Sequence, residues 1–141
     1  MPAFNAESPD LAAAGPLVEV TFTIVAAAQH IRREAGDPLP TPVQATAMID
    51  TGASATAVKA GLLGPLGLHP INVAPVTTAT GIDIPCPVYA VQLGLPANRI
   101  EITVIEAPLE GQHIQALIGR DVLQHGLFIY QGPSNQFTLS F

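Results

Sequence analysis

Residues 43–54, VQATAMIDTGAS, constrain the fold of this chain more than any other stretch. Asp50 follows a segment that alternates like a half-buried β-strand, so an apolar strand delivers a carboxylate to a polar turn. Gly52 tolerates backbone angles that other residues resist, and it lets the main chain approach the Asp50 side chain closely. The stretch therefore predicts a carboxylate that is held by backbone N–H groups and faces a cleft. The apolar face of the strand is formed by Val43, Ala45, Ala47 and Ile49.

A second motif lies at residues 116–123, ALIGRDVL. Its apolar residues and glycine lead into a short helix that we predict from Arg120 to His125, with Gly126 as its C-terminal stop. Together the two motifs resemble the retropepsin-like aspartic proteases, in which an apolar strand ending in Asp-Thr-Gly and a later apolar–apolar–Gly segment cross beneath the active site. The resemblance covers about residues 17–141.

The resemblance implies a role for each part of these motifs. Asp50, Thr51 and Gly52 match the catalytic triplet, and a predicted hairpin over residues 73–95 matches the flap that closes over bound peptide. A plain surface hairpin fits the same residues. The residues implied to contact substrate are Ala53, Ser54, Thr80, Gly81, Ile82 and Asp83. The residues implied to support the site are Leu117, Ile118, Gly119, Arg120 and Asp121.

Two of the supporting residues need separate interpretation. In the viral enzymes an arginine at the place of Arg120 pairs with an aspartate shortly after the triplet, but Ser54 stands at that place here. We therefore expect Arg120 to bond elsewhere. Asp121 begins the predicted helix, where a carboxylate accepts hydrogen bonds from free N–H groups and favours the helix dipole. We prefer this structural role to the alternative that Asp121 is an in-chain catalytic partner of Asp50.

The chain contains one Asp-Thr-Gly triplet, whereas aspartic protease chemistry needs two carboxylates that share a proton and a water. One chain can supply both only as a two-fold homodimer with the site on the axis. The resemblance implies the same assembly, with Thr51 of each subunit hydrogen-bonding across the axis. The C-terminal strand QFTLSF, residues 136–141, is a candidate for a sheet between subunits, or it pairs within its own subunit.

Composition narrows the class of protein. With 141 residues the chain has the size of one domain, and its 11% charged residues leave it apolar enough to need a large core or a surface covered by another subunit. A net charge of −6 argues against nucleic acid as a partner. We expect no membrane span, and the single Cys86 without a visible secretory signal predicts a cytoplasmic protein.

The remaining patterns predict an all-β domain: a closed retropepsin-like barrel or sandwich with one or two short helices. Residues 1–16 are predicted to be a flexible or extended tail, and residues 17–141 a single domain. Further predicted elements are strands at 17–25, 99–107, 127–131 and 136–141, loops at 29–42 and 108–115, and a short helix capped by Ser54 or Thr56 and ending at Leu63.

Other chemistry finds little support in the sequence. The four histidines lack ligand spacing, so we expect no metal and no other cofactor. Cys86 between two prolines is better interpreted as a small packed residue than as a reactive thiol. The sequence favours a homodimeric aspartic endopeptidase that acts on peptides or proteins. Two alternatives stay open: a non-catalytic dimeric module that binds peptides or proteins, and an unrelated ligand-binding β-barrel.

Overall fold

The structure is a computed structural model that describes residues 2–109 and 113–141. Its strands are β1 (Ala3–Glu7), β2 (Leu17–Thr23), β3 (Val43–Ile49), β4 (Ala57–Lys59), β5 (Asn72–Thr77), β6 (Asp83–Leu95), β7 (Asn98–Ala107), β8 (Ala116–Ile118), β9 (Leu127–Gln131) and β10 (Gln136–Ser140). Its helices are α1 (Leu11–Ala14), α2 (Ala26–Ala35) and α3 (Arg120–Leu123), with 3-10 turns at Gly64–Leu66 and Gly132–Ser134.

Six strands form a closed barrel in the order β2-β3-β8-β4-β7-β6. The barrel closes because β2 pairs with both β3 and β6, and β5 extends beyond it as the outer strand of a hairpin with β6. The short strand β4 joins β8 to β7, since it pairs antiparallel with β8 and parallel with β7. The alternation of each strand sends apolar side chains into the barrel, and the largest fully buried ones include Phe22, Val91, Leu93, Val104 and Ile118.

The parallel pairing of β3 and β8 positions the two sequence motifs. Ile49 lies opposite Ile118, so Asp50 and Gly119 leave the barrel side by side at the same end of their strands. Alternate residues of both strands are buried, which fits their place side by side in the barrel. The Asp-Thr-Gly turn and the start of α3 are therefore neighbours.

A separate three-stranded antiparallel sheet has the order β1-β10-β9. Its inner face carries Phe4 and Phe137, whose rings meet edge to face, and the Phe128 ring packs against Phe137 at a tilt. Phe137 is part of the main core cluster, so this sheet is packed against the barrel.

The prediction of a flexible or extended tail at residues 1–16 is wrong for most of that segment. Residues Ala3–Glu7 form β1, which pairs with β10 over five residues, and Leu11 of α1 is buried in the core. The partner strand lies about 130 residues away, so local sequence gives no sign of this pairing. Met1 lies outside the described residues.

Two further predictions need correction. The predicted loop at 29–42 contains most of α2, which ends where Gly36 adopts a left-handed conformation, so only the proline-rich part beyond Gly36 is a loop. The helix predicted to end at Leu63 is absent from the described residues; that segment instead contains β4. The pairing of β4 with two strands that are distant in sequence outweighs local helix propensity, and Val58 is fully buried there.

The other predicted elements can be placed directly. Strand β10 pairs with β9 and β1 of its own chain, which is the second of the two alternatives for the C-terminal strand. Residues 110–112 of the predicted 108–115 loop lie outside the described residues. The all-β class of fold with few short helices is confirmed. Across the described ranges, none of the helices has the length and apolarity that a membrane crossing needs.

The packing of α1 gives a first prediction. Leu11 is only 1% exposed, so Leu11→Ala should lower the free energy of unfolding by about 2–5 kcal/mol, through lost burial and the cavity left behind. Leu39→Ala is the matched control, because Leu39 is 38% exposed and its truncation should cost less than about 0.5 kcal/mol. Chemical denaturation followed by circular dichroism measures both. Equal small losses would contradict the docking of the N-terminal segment.

Candidate active site

The backbone of Asp50 is fixed by the strand beside it. Residues Ala45, Ala47 and Ile49 of β3 are buried, and the Asp50 N–H then donates a hydrogen bond of 2.9 Å to the carbonyl oxygen of Ile118. The strand therefore holds the backbone of Asp50 against the second motif, while the Asp50 side chain is half-buried at the barrel end.

The Asp50 carboxylate is oriented by the turn that follows it. Its Oδ1 accepts a hydrogen bond of 2.8 Å from the Gly52 N–H, and the Ala53 N–H donates to the Asp50 carbonyl oxygen at 3.2 Å. A Cβ at position 52 would lie 3.1 Å from Oδ1, so the glycine leaves space for the carboxylate. Gly52 does not have a positive φ, so the expected need for unusual backbone angles is wrong and close approach is the physical reason for this glycine.

The turn carries its functional groups at the surface. Thr51, Gly52 and Ser54 are exposed and Ala53 is half-buried. Within the described residues, the hydrogen bond from Gly52 is the one contact of this kind that the Asp50 carboxylate makes. Its second oxygen accepts no hydrogen bond from the described residues.

Thr56 fixes the far end of this turn. It is fully buried, its hydroxyl donates to Asp121 Oδ1 at 2.8 Å, and its N–H donates to Asp121 Oδ2 at 2.9 Å. The same hydroxyl accepts a bond of 3.1 Å from the Gly119 N–H. The sequence predicted Thr56 only as a possible helix cap. Its position within a run of small and apolar residues is the feature that could have indicated a buried, hydrogen-bonded hydroxyl.

Asp121 has its carboxylate occupied by these bonds. Besides the two from Thr56, its Oδ1 accepts a hydrogen bond of 2.9 Å from the Val122 N–H at the start of α3. A carboxylate with three donors bound to it holds two loops together. This arrangement supports the structural interpretation of Asp121 over an in-chain catalytic partnership with Asp50.

Arg120 bonds to the turn by both main chain and side chain. Its N–H donates to the Ala53 carbonyl oxygen at 2.9 Å, and its Nη1 donates to the Thr51 carbonyl oxygen at 2.7 Å. The guanidinium group therefore takes a backbone oxygen as its partner where the viral enzymes have a carboxylate. The Leu117 side chain is half-buried and that of Ile118 is buried in β8 beneath the turn.

The hairpin residues predicted to contact substrate lie at the end of the β5–β6 hairpin. Thr80 and Gly81 occupy the tip between β5 and β6, where Gly81 has φ +80°. Ile82 closes the tip by accepting a bond of 3.0 Å from the Thr78 N–H, and Asp83 begins β6 and accepts from the Thr77 hydroxyl. In the part of the chain that the structure describes, no hydrogen bond joins this tip to the Asp50 turn.

Other candidate groups do not form a site. Over residues 2–109 and 113–141, no three histidine, cysteine, aspartate or glutamate side chains are arranged to hold a metal ion. Cys86 is buried, with its thiol directed at the Ile84 carbonyl oxygen at 3.6 Å.

The packing beneath the turn gives a second prediction. A Cβ at Gly119 would lie 2.7 Å from the backbone carbon and oxygen of Ala55, so Gly119→Ala must displace the loop that carries Asp50. We expect a loss of about 1–3 kcal/mol in the free energy of unfolding. Gly64→Ala is the control, because a Cβ there meets nothing within 4 Å. Denaturant unfolding of both variants tests the contact, and equal stability would contradict it.

Comparison with known proteins gives likenesses of fold. In sequence, the chain matches no protein-family model and no curated protein. The retropepsin-like aspartic protease from Rickettsia conorii superimposes with a TM-score of 0.53 at 15% identity, over 98% of this chain and 92% of that chain. The simian foamy virus (mac) protease gives 0.48 at 17% identity, over 77% and 92%. The EIAV protease in complex with the inhibitor HBY-793 gives 0.49 at 18% identity, over 78% and 86%.

The Rickettsia protease provides the useful comparison, because the likeness extends over nearly the whole of both chains. At this identity the likeness concerns fold alone. The six-stranded barrel and the few short helices agree with it. The chain therefore has a retropepsin-like fold.

Proposed function

We propose that this protein is an aspartic endopeptidase in which two Asp50 carboxylates, one from each subunit of a homodimer, activate a water for peptide hydrolysis. The observation that carries the proposal is the Asp50 carboxylate itself, half-buried and oriented by the Gly52 N–H at the open end of the barrel.

The bonds around the turn support a catalytic use of Asp50. Positioned catalytic groups depend on surroundings that hold them within a fraction of an ångström, and here the turn is held from beneath by Thr56, Arg120 and Asp121. Since Asp121 is committed to Thr56 and Val122, the second carboxylate is best supplied by another copy of Asp50. A two-fold axis next to the turn brings the two together.

The proposed mechanism uses one proton shared by the pair. Two carboxylates about 3 Å apart do not both ionise, so one is protonated and the other is a base. The base removes a proton from the bound water while the water oxygen attacks the peptide carbonyl carbon. The protonated partner donates its proton to the carbonyl oxygen, which gives a neutral tetrahedral diol. The carboxyl that took the water proton then donates it to the nitrogen, and the other carboxylate removes a proton from a diol hydroxyl. The C–N bond breaks, an acid and an amine are released, and the pair again shares one proton.

Substrate binding in this proposal involves the turn and the hairpin. Ala53 and Ser54 would contact the peptide beside the catalytic pair, and Thr80, Gly81, Ile82 and Asp83 would cover it as a flap. The exposed, apolar Ile82 and the left-handed Gly81 at the hairpin tip support this role. A cleft enclosed in this way suits an extended peptide or an unfolded segment of a protein.

A decisive test replaces the carboxylate by a group of the same shape. Asp50→Asn should lower the rate at which a peptide library is cleaved by a factor of about a hundred to ten thousand, because it removes the acid–base assistance. Asp37→Asn is the matched control, since Asp37 is an exposed residue beyond α2, and this variant should keep full activity.

The same two variants distinguish the proposed protease from a non-catalytic binding module. Peptide that binds to wild-type protein and to Asp50→Asn equally, without cleavage by either, would replace the proposal with a non-catalytic binding module. Mass spectrometry of the products, together with a fluorescence binding measurement, separates the two results.

A further inference from the structure

A row of four residues crosses the outer surface of the barrel. The strand registers place Gln44 of β3 opposite Thr21 of β2, and Thr21 opposite Gly94 of β6. Gly94 in turn lies opposite Arg99 of β7. The residues on either side of Thr21 and of Gly94 in their strands are buried in the core, so the row faces outward. Because β3 rises about 3.3 Å per residue, Gln44 lies about 20 Å from Asp50.

Gly94 forms the floor of a notch in this row. A Cβ at position 94 would collide with the hydroxyl oxygen of Thr21, so the glycine leaves room for that hydroxyl. Two cavities share Thr21, Gly94 and Arg99 in their linings, and together we call them the Arg99 groove. The first has a volume of about 360 Å³ and reaches α2 and the loop at residues 39–42, and the second has about 270 Å³ and reaches Glu19. The first cavity alone has the volume of a small-molecule site, which is about 300–1,000 Å³.

Among the described residues that line it, the Arg99 groove has one cationic and one anionic side chain, and the two are not paired with each other. Across residues 2–109 and 113–141, the Arg99 guanidinium group makes no hydrogen bond and no salt bridge. Glu101, two residues along the same face of β7, instead accepts a bond of 3.2 Å from the Ala26 N–H. The Glu19 carboxylate is held by a bond of 2.6 Å from the Thr46 hydroxyl to its Oε1. Since a guanidinium group binds carboxylates and a carboxylate binds ammonium groups, the groove suits a ligand that carries both charges.

Hydrogen bonds hold the walls of the Arg99 groove in place. The carboxylate of Glu101 fixes the first turn of α2 to β7. Towards the other end of the helix, Arg32 Nη1 donates to the Pro38 carbonyl oxygen at 3.1 Å, which ties the returning loop to α2. Gln29 Nε2 donates to the Ile24 carbonyl oxygen at 2.8 Å. A site whose walls are already ordered binds a ligand with a smaller loss of conformational entropy.

The uncharged part of the lining suits a peptide. Thr23, Gln29 and Gln92 offer side-chain groups that can bond to the N–H and C=O of a peptide bond. An apolar side chain of the peptide can lose contact with water against the apolar part of the lining. The apolar residues of the lining loop are Leu39, Pro40 and Pro42.

The spacing of the two charged residues sets the length of the ligand. With strands about 4.8 Å apart and a rise of about 3.3 Å per residue, the Cα atoms of Glu19 and Arg99 lie roughly 12 Å apart. Side chains that stand perpendicular to the sheet keep this separation at their charged ends. Two charge-assisted hydrogen bonds of about 2.8 Å each then leave about 6–7 Å, which is the length of two extended residues.

We propose that the Arg99 groove binds dipeptides with free termini, whose carboxylate bonds to Arg99 and whose ammonium group bonds to Glu19. A segment within a longer chain lacks these terminal charges, so the groove selects short free peptides over intact proteins. The inference goes beyond the proposed function, because the groove is about 20 Å from Asp50 and contains none of the proposed catalytic residues.

Titration with the dipeptide alanyl-leucine tests the groove. The Asp50→Asn protein is used throughout, so that peptide cleavage cannot consume the ligand, and isothermal titration calorimetry measures the dissociation constant. We expect one saturable site per chain. Arg99→Gln and Glu19→Gln, each added to Asp50→Asn, should raise Kd about tenfold to a hundredfold, because each removes a charge-assisted hydrogen bond. Both replaced residues are exposed, so the variants should stay folded. Arg33→Gln is the matched control and should leave Kd unchanged, since Arg33 is exposed on α2 outside the groove.

Blocked ligands show which charge binds to which residue. Alanyl-leucine amide lacks the carboxylate and N-acetyl-alanyl-leucine lacks the ammonium group, so each should bind at least about tenfold more weakly than the free dipeptide. Arg99→Gln should not weaken the binding of the amide any further, because the partner of Arg99 is already gone. Glu19→Gln should likewise leave the binding of the acetylated dipeptide unchanged.

Three results would overturn the inference. The first is that the free dipeptide shows no saturable binding at millimolar concentrations. The second is that Arg99→Gln binds it with an unchanged Kd, and the third is that the blocked dipeptides bind as tightly as the free one. Cleavage by the wild-type protein is measured separately, so the proposed protease activity can fail while the groove stands, and the reverse.

Discussion

The rest of the structure depends on the hydrogen bonds that join residues 50–56 to residues 118–121. They link Asp50 to Ile118, Ala53 and Thr51 to Arg120, and Thr56 to both Gly119 and Asp121. These bonds hold the chain in place where β4 enters the barrel between β8 and β7. They also hold the turn that carries Asp50. A buried hydroxyl and a half-buried carboxylate thus satisfy one another at the junction, which avoids the cost of an unpaired polar group.

The same junction supports the proposal that the active site uses a second subunit. Asp121 is the carboxylate beside the turn, but its oxygens are occupied by Thr56 and Val122. In the proposed mechanism, each chain therefore contributes one carboxylate, that of Asp50.

The sequence predicted those elements whose conformation depends mainly on neighbouring residues. The alternation of β3, the glycine near Asp50 and the apolar–Gly–helix motif at β8 and α3 were all visible in the sequence. The roles of β1 and β4 were not, because both strands owe their conformation to distant partners, β10 for the first and β7 and β8 for the second. Helix α2 was not predicted, because the prolines beyond Gly36 favoured a loop over the whole of residues 29–42. The bonding of Thr56 to Asp121 joins residues 65 positions apart and needed the structure.

The central claim is that two Asp50 side chains share one site, and titration of inactive subunits tests it most directly. Increasing amounts of Asp50→Asn chain are added to a fixed amount of wild type, after subunit exchange has been confirmed, and peptide cleavage is measured. With random pairing, about a quarter of the dimers in an equal mixture keep both carboxylates, so activity should fall to about half of its starting value. Activity that stays constant as the inactive chain is added would show that each chain contains a complete site, and would contradict the account.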